Sequence, residues 1–239
     1  MEFDYGDYYY DFEEKVLRIR DGVKIISQDM FSRFHSQYSR LYAEKNFKVI
    51  IPNSVEKIDF KGFLDMRTSE YKIPNSVKVI SRHAFRCNEH LKSMQWPSSV
   101  KIIQSCVLDS CSSLEIIELH EGLLEIEADA LARCKNLTTI TIPTTVEIFG
   151  YGVFLYCEKL KEIYVPKALY DKYGKDYFKA DTPAEVIPYN ELMSKKAITN
   201  PKARKENAEN ARITSSSKKE FKSFCGTIRT NFIADKRKK

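Results

Sequence analysis

The chain has 239 residues, 43% hydrophobic and 30% charged, the balance of an ordinary soluble globular protein with room for one large or two small domains. No run approaches the roughly 18 consecutive apolar residues of a membrane span, and the start Met1-Glu2-Phe3-Asp4 lacks the basic and apolar regions of a secretion signal. The net charge of +6 is uneven: residues 190–239 hold 14 Lys/Arg against 5 Asp/Glu, while residues 1–189 hold 25 against 28, so a basic tail follows a near-neutral body.

Residues 1–18 are acidic and aromatic, from Asp4-Tyr5-Gly6-Asp7 through Tyr8-Tyr9-Tyr10 to Glu13-Glu14. They read as a cap with a polar outer face, of the kind a stack of repeats needs at its end. A docking segment is the alternative.

Residues 19–166 carry an internal repeat of about 23 residues. Prolines stand at Pro52, Pro74, Pro97, Pro143 and Pro166, with gaps of 22, 23, 46 and 23. The 46 is two periods, with His120 at the missing place, and Arg20 holds the equivalent place upstream of an insertion at Phe34–Asn46. Before each marker comes an alternating apolar pair: Val49 and Ile51, Tyr71 and Ile73, Met94 and Trp96, Ile117 and Leu119, Ile140 and Ile142, Ile163 and Val165. Period-two alternation predicts a short strand with one buried face, which proline ends because it has no N–H to donate. Three residues after the marker stand Val55, Val77, Val100, Leu123 and Val146; six after stand Ile58, Ile80, Ile103, Ile126 and Phe149. Eleven after it come Phe63, Phe85, Leu108, Leu131 and Phe154, behind a small or modest residue, and this last piece reads as one compact helical turn. The fold expected is an α/β solenoid of six to seven coils, each a short strand plus a helical turn, stacked into one continuous core.

Segments such as Ile73-Pro74-Asn75-Ser76-Val77-Lys78-Val79-Ile80, followed by Ala84-Phe85, resemble the BspA-like leucine-rich repeat, over about 150 residues. The final Ile163-Tyr164-Val165-Pro166-Lys167 resembles that family's closing coil. The pattern is lost at the insertion and at His120-Glu121-Gly122. The resemblance implies a leucine-rich-repeat solenoid that binds other molecules, and bacterial members that are surface adhesins.

The chain has six cysteines. Cys111, Cys134 and Cys157 lie 23 apart in one repeat slot, which Asn88 fills a coil earlier. In leucine-rich repeats Asn and Cys alternate at this slot and bond backbone groups of the turn. Stacked equivalents point the same way and a row of three cannot all pair, so we expect reduced buried thiols rather than disulfides. Cys87, Cys106 and Cys225 show no metal spacing. Reduced thiols and the absent signal favour an intracellular, cytoplasmic home.

Chemistry is hard to find. His35, His83, His90 and His120 are scattered, and no phosphate loop, HExxH or GxSxG occurs. The carboxylates read as a solvated face, and the sequon Asn136-Leu137-Thr138 falls where Leu137 begins a buried strand. We expect no enzyme, no cofactor, no metal and no small-molecule substrate.

Two surfaces are candidates for partners. The residues between the buried ones on each strand face outward: Lys72, Gln95, Glu118, Thr141 and Tyr164 in one column, Glu70, Ser93, Ile116, Thr139 and Glu162 beside it. They are either plain solvated sheet or a concave recognition face, whose mixed signs and apolar members suit protein better than phosphate. Residues 167–189 read as a short helix and extended chain closing the other end. The second surface is the tail, residues 190–239, with Lys195, Lys196, Lys202, Arg204, Lys205, Lys218, Lys219, Arg229, Lys236 and Arg237 around the apolar anchors Phe221, Phe224 and Phe232. Anchors among basic groups suggest a segment that orders on an acidic partner, with a solvated disordered tail as the alternative.

The leading expectation is an intracellular scaffold or adaptor in a large acidic multi-subunit assembly, a cytoskeletal polymer such as a microtubule foremost. The alternatives are a ribosome- or RNA-associated protein held by its tail, and a surface adhesin.

Overall fold

The computed structural model describes residues 2–31, 46–179 and 182–190. Residues 1–188 form one compact unit; of the second, 189–239, only Tyr189 and Asn190 are described.

Each coil has three edges. The first is the predicted strand: β3 (Val16–Ile19), β5 (Phe47–Ile50), β7 (Thr68–Lys72), β9 (Ser93–Gln95), β11 (Ile116–Glu118), β13 (Thr139–Thr141) and β15 (Glu162–Pro166). Parallel pairing joins β3, β5 and β7, then β9 and β11, then β13 and β15, with equivalent residues abreast, Val49 beside Tyr71, Met94 beside Ile117 and Ile140 beside Ile163. The marker residue then accepts a bond from the N–H three residues on, at 3.1 Å for Pro52 and Val55, 3.1 Å for Pro74 and Val77, and 3.3 Å for His120 and Leu123. The turn needs only a carbonyl from its first residue, so His120 serves where the others use proline.

The second edge is a row of two-residue strands: β4 (Ile25–Ile26), β6 (Lys57–Ile58), β8 (Val79–Ile80), β10 (Ile102–Ile103), β12 (Glu125–Ile126) and β14 (Ile148–Phe149). Again the pairing is parallel. The second residue of each is buried. Gly150 follows β14, and its N–H reaches Ile126 O at 2.7 Å. A Cβ on Gly150 would stand 2.2 Å from Ala128 N, a backbone atom that cannot step aside. Gly150→Ala is expected to pry the last two coils apart and lower stability by about 1–3 kcal/mol, read from urea unfolding.

The third edge corrects the sequence reading. In the first coil it is a short 3-10 helix, Gln28–Phe31, as expected, but in the later described coils it is not a helical turn. Nine of the eleven non-glycine residues with positive φ among those described fall in two columns, nine and thirteen residues after the marker: Lys61 and Asp65, His83 and Cys87, Cys106 and Ser110, Asp129 and Arg133, then Tyr156. Gly152 completes the set. A left-handed residue re-aims the peptides that flank it. Turn bonds within a coil, such as Arg86 N to His83 O at 3.2 Å, therefore alternate with bonds to the next coil, such as Phe85 N to Val107 O at 2.9 Å. A helix would spend every N–H on its own carbonyls. Here alternate N–H groups join the stack, and these bonds hold non-glycine residues in a conformation that costs about 1–2 kcal/mol each.

Side chains from all three edges meet in one core. Val55, Val77, Val100, Leu123 and Val146 are buried, as are all residues of the columns six and eleven after the marker. Phe31, Phe63 and Phe85 stack along the solenoid with centroids 5.4 and 5.6 Å apart.

Both ends of the stack are covered. At the start, β1 (Glu2–Asp4) and β2 (Tyr8–Asp11) form an antiparallel hairpin on β3. Tyr10 packs edge-on to Phe47. At the far end stand helices Lys167–Tyr173 and Lys175–Lys179, and β16 (Glu185–Tyr189) lies beside β15. The exposed backbone of β14 is bonded by side chains: the Tyr173 hydroxyl accepts from Phe149 N–H at 3.4 Å, and the Tyr177 hydroxyl donates to Phe149 O at 3.0 Å. An open strand edge is a template for unwanted pairing, and these tyrosines blunt it. The insertion lies almost wholly outside the described residues.

Candidate functional site

All ten residues of the two outward columns stand on the first-edge strands β7, β9, β11, β13 and β15. Lys72, Gln95, Glu118, Ser93 and Ile116 are exposed; Glu70, Thr139, Thr141, Glu162 and Tyr164 are half-buried. Strand alternation puts them there, because their neighbours Tyr71, Met94, Ile117, Ile140 and Ile163 occupy the core. Six of the ten, Glu70, Lys72, Ser93, Gln95, Ile116 and Glu118, line one shallow cleft of about 380 Å³ over β7, β9 and β11. A second cleft of about 290 Å³ shares Ile73, Gln95 and Glu118 and runs to Trp96 and His120 at the strand ends. Thr139, Thr141, Glu162 and Tyr164 continue the face on β13 and β15, where the Tyr164 hydroxyl bonds Glu162 at 3.1 Å.

The face has mixed character. Lys48 and Glu70 form a loose ion pair at 3.9 Å, the lysine more exposed than the half-buried glutamate. Ile116, on the middle one of these five strands, is an apolar residue 55% exposed. Such an arrangement suits a protein surface with an apolar centre and a polar rim. The tail residues Lys195, Lys196, Lys202, Arg204, Lys205, Lys218, Lys219, Phe221, Phe224, Arg229, Phe232, Lys236 and Arg237 lie outside the described residues.

Beneath this face the Asn/Cys slot forms a ladder. Asn88 Nδ2 donates to Phe63 O at 2.7 Å and Phe85 O at 2.8 Å, and the Tyr71 hydroxyl donates to Asn88 Oδ1 at 2.6 Å. The thiols repeat the first of these bonds: Cys111 to Phe85 O at 3.2 Å, Cys134 to Leu108 O at 3.4 Å, and Cys157 to Leu131 O at 3.2 Å. All three are free and fully buried. Burial pushes Cys157 up to about 12, and Cys111 and Cys134 are also driven far above the usual thiol range. Groups held this firmly as thiols are structural and not nucleophilic.

One carboxylate departs from the solvated face expected of it. Asp109, its side chain 1% exposed, accepts from Arg86 Nε at 3.0 Å and from Arg133 Nη2 at 2.7 Å. Three successive coils are thereby tied together. Its place among turn residues gave no sign of burial, and only the alternating inter-coil bonds bring it inward. Among the described residues no group of three or more His, Cys, Asp or Glu side chains could hold a metal ion. No described helix is long and apolar enough to cross a membrane.

Comparison with known proteins agrees with this geometry. Among curated proteins nothing matches the chain. Among solved structures, a leucine rich repeat protein of T. pallidum is 16% identical with a TM-score of 0.51, over 87% of this chain and 95% of that one. The Pneumococcal vaccine antigen PcpA is 18% identical with a TM-score of 0.51, over 68% of this chain and 49% of that one. A leucine rich cell surface protein from Faecalibacterium prausnitzii is 21% identical with a TM-score of 0.48, over 80% of this chain and 50% of that one. The chain thus spans nearly all of the first and about half of the other two. At these identities the likeness is one of fold. The pattern of the BspA type leucine rich repeat region matches in six copies, over residues 7–90, 36–161 and 80–190. With that match spanning most of its length, the chain belongs to the BspA type leucine-rich-repeat family.

Proposed function

We propose that the chain is a non-enzymatic scaffold that binds protein through its first-edge sheet and works inside the cell, in a large acidic assembly such as a cytoskeletal polymer. The observation that carries the binding reading is the cleft over β7, β9 and β11, lined by exposed Ile116 on β11 together with Glu70, Lys72 and Glu118. The buried free thiols support a reducing compartment. The basic composition of residues 190–239 supports an acidic partner, with RNA as the competing one.

A photo-crosslinking residue at Gln95 in the native cell tests the sheet. Partner proteins are expected in the crosslinks, and Ile116→Asp is expected to weaken their capture about tenfold or more. The substitution lies at an exposed site, so stability should change by less than about 0.5 kcal/mol. Equal capture from Lys135, on a turn away from the sheet, would count against the reading. Deleting residues 190–239 tests the anchor: release from the acidic assembly is expected, and unchanged partners would remove the tail from the account.

A second reading is a surface adhesin. It is favoured by two structural relatives whose names describe a cell surface protein and a vaccine antigen. Protease digestion of intact cells separates the two, because only a surface protein is cut.

A further inference from the structure

The second-edge sheet carries an apolar ridge that the strand pattern alone conceals. The first residue of each two-residue strand points outward. In coil order these are Ile25, Lys57, Val79, Ile102, Glu125 and Ile148. The apolar four are exposed: Ile25 by 50%, Val79 by 39%, Ile102 by 38% and Ile148 by 50%. Leu124 widens the strip with 47% of its surface exposed. Single exposed apolar residues need no explanation, but four on one face, with Val79 and Ile102 adjacent at its centre and Lys57 and Glu125 between the rest, mark a contact surface.

The order of the ridge is self-complementary. Read from either end it runs isoleucine, charge, β-branched residue, β-branched residue, charge, isoleucine, and the two charges are opposite. β8 and β10 lie side by side at its centre. A two-fold axis along the strand direction between them reverses the coil order of a second molecule laid face to face. That operation sets Val79 against Ile102 of the other copy, Ile25 against Ile148, and Lys57 against Glu125. In the flanking column only the ends follow this rule, with Lys24 against Glu147; Glu56 falls opposite Leu124, and the central Lys78 and Lys101, which fall opposite one another, are turned onto Asn75 O and Ser98 O of their own coils. In an isologous interface residue i touches j and j touches i, so every favourable pair occurs twice.

We propose that this ridge is a homodimer interface, with a second copy of the chain as its occupant in an antiparallel two-fold arrangement. Lys57 already pairs with Asp59 at 3.1 Å, and both side chains are more than a third exposed. An ion pair so exposed contributes little, so Lys57 is available to Glu125 across the interface. Lys24 likewise holds an exposed pair with Glu56. Six coils at a strand spacing of about 4.8 Å make a narrow strip. A strip of that size falls at the small end of specific interfaces, so the dimer is weak, with a dissociation constant in the micromolar range.

Sedimentation velocity of the full chain from about 1 to 200 µM reads the outcome, with concentrations chosen to bracket that range. The wild-type chain is expected to pass from monomer to dimer. Lys57→Glu and Glu125→Lys should each weaken the dimer about tenfold or more, because each places like charges in register twice. The double variant should restore it to within about threefold, since both pairs are re-formed with reversed sign. Ile102→Asp should abolish it. All of these sites are at least partly exposed, and circular dichroism melting shows that each variant is folded. A wild-type chain that stays monomeric at the top concentration overturns the proposal. So does a dimer indifferent to either single charge reversal, or a double variant that fails to recover.

Discussion

Alanine at position 85 is expected to cost about 3–5 kcal/mol, the range for removing a buried phenylalanine. Phe85 is fully buried, stacks on Phe63 with an interplanar angle of 14°, and meets Tyr71 edge-on at 4.8 Å. The cavity would open between coils that touch only their neighbours, so the damage concentrates in the two interfaces of that coil. A domain of this kind has about 5–15 kcal/mol in total, and the loss is a large fraction of it. Trp96, the only tryptophan, is buried in the next coil and reports on the portion downstream. In guanidinium titration the far-UV signal of Phe85→Ala should fall in two steps, with Trp96 fluorescence following the later one. A loss below about 1 kcal/mol, no larger than an exposed site gives, would show that the aromatic stack does not hold the coils together.

Phe85 also shows what kind of feature could be read from the chain alone. Each coil repeats the same core positions, so the Val, Ile and Phe/Leu columns state the register several times over, and all of them are buried. The Asn88, Cys111, Cys134 and Cys157 slot was legible for the same reason, and its thiols are free. The third edge was not. Its left-handed positions are filled by Lys61, Asp65, His83, Cys87 and their equivalents, none of them glycine except Gly152, so no residue type announces the conformation. Apolar plugs spaced through such a segment look the same as those of a helical turn. Asp109 was missed because a carboxylate among turn residues ordinarily faces water. The apolar ridge was missed because its members, such as Ile102, stand directly before a core residue, and a strand of two residues is too short to show alternation. On the first edge, by contrast, alternation over three to five residues separated the outward columns from the buried ones, and all ten outward residues lie on its strands.

The thiol ladder sets the upper pH limit of this fold. In the unfolded chain a cysteine ionises near about pH 8.5. In the folded chain burial holds Cys157 up to about 12 and keeps Cys111 and Cys134 protonated well above the ordinary range. A group whose folded pKa is raised binds its proton more tightly when folded. Its stabilisation is therefore complete below the unfolded pKa and is lost as pH climbs through the window toward the folded value. Each such thiol removes about 1.4 kcal/mol per pH unit within that window, and three together about 4. Tyr71 adds to the same trend at its upper end, since full burial raises its hydroxyl as well. Urea unfolding under reductant from pH 8 to 11 should show a steep decline once the first of these values is passed. Serine at 111, 134 and 157 keeps a donor for Phe85 O, Leu108 O and Leu131 O but does not titrate here, so the triple variant should start less stable and lose stability with pH more slowly by about three protons' worth of slope. Equal slopes for the two proteins would show that the thiols ionise freely in the fold. The ladder would then have to be open to water, against the complete burial of all three side chains.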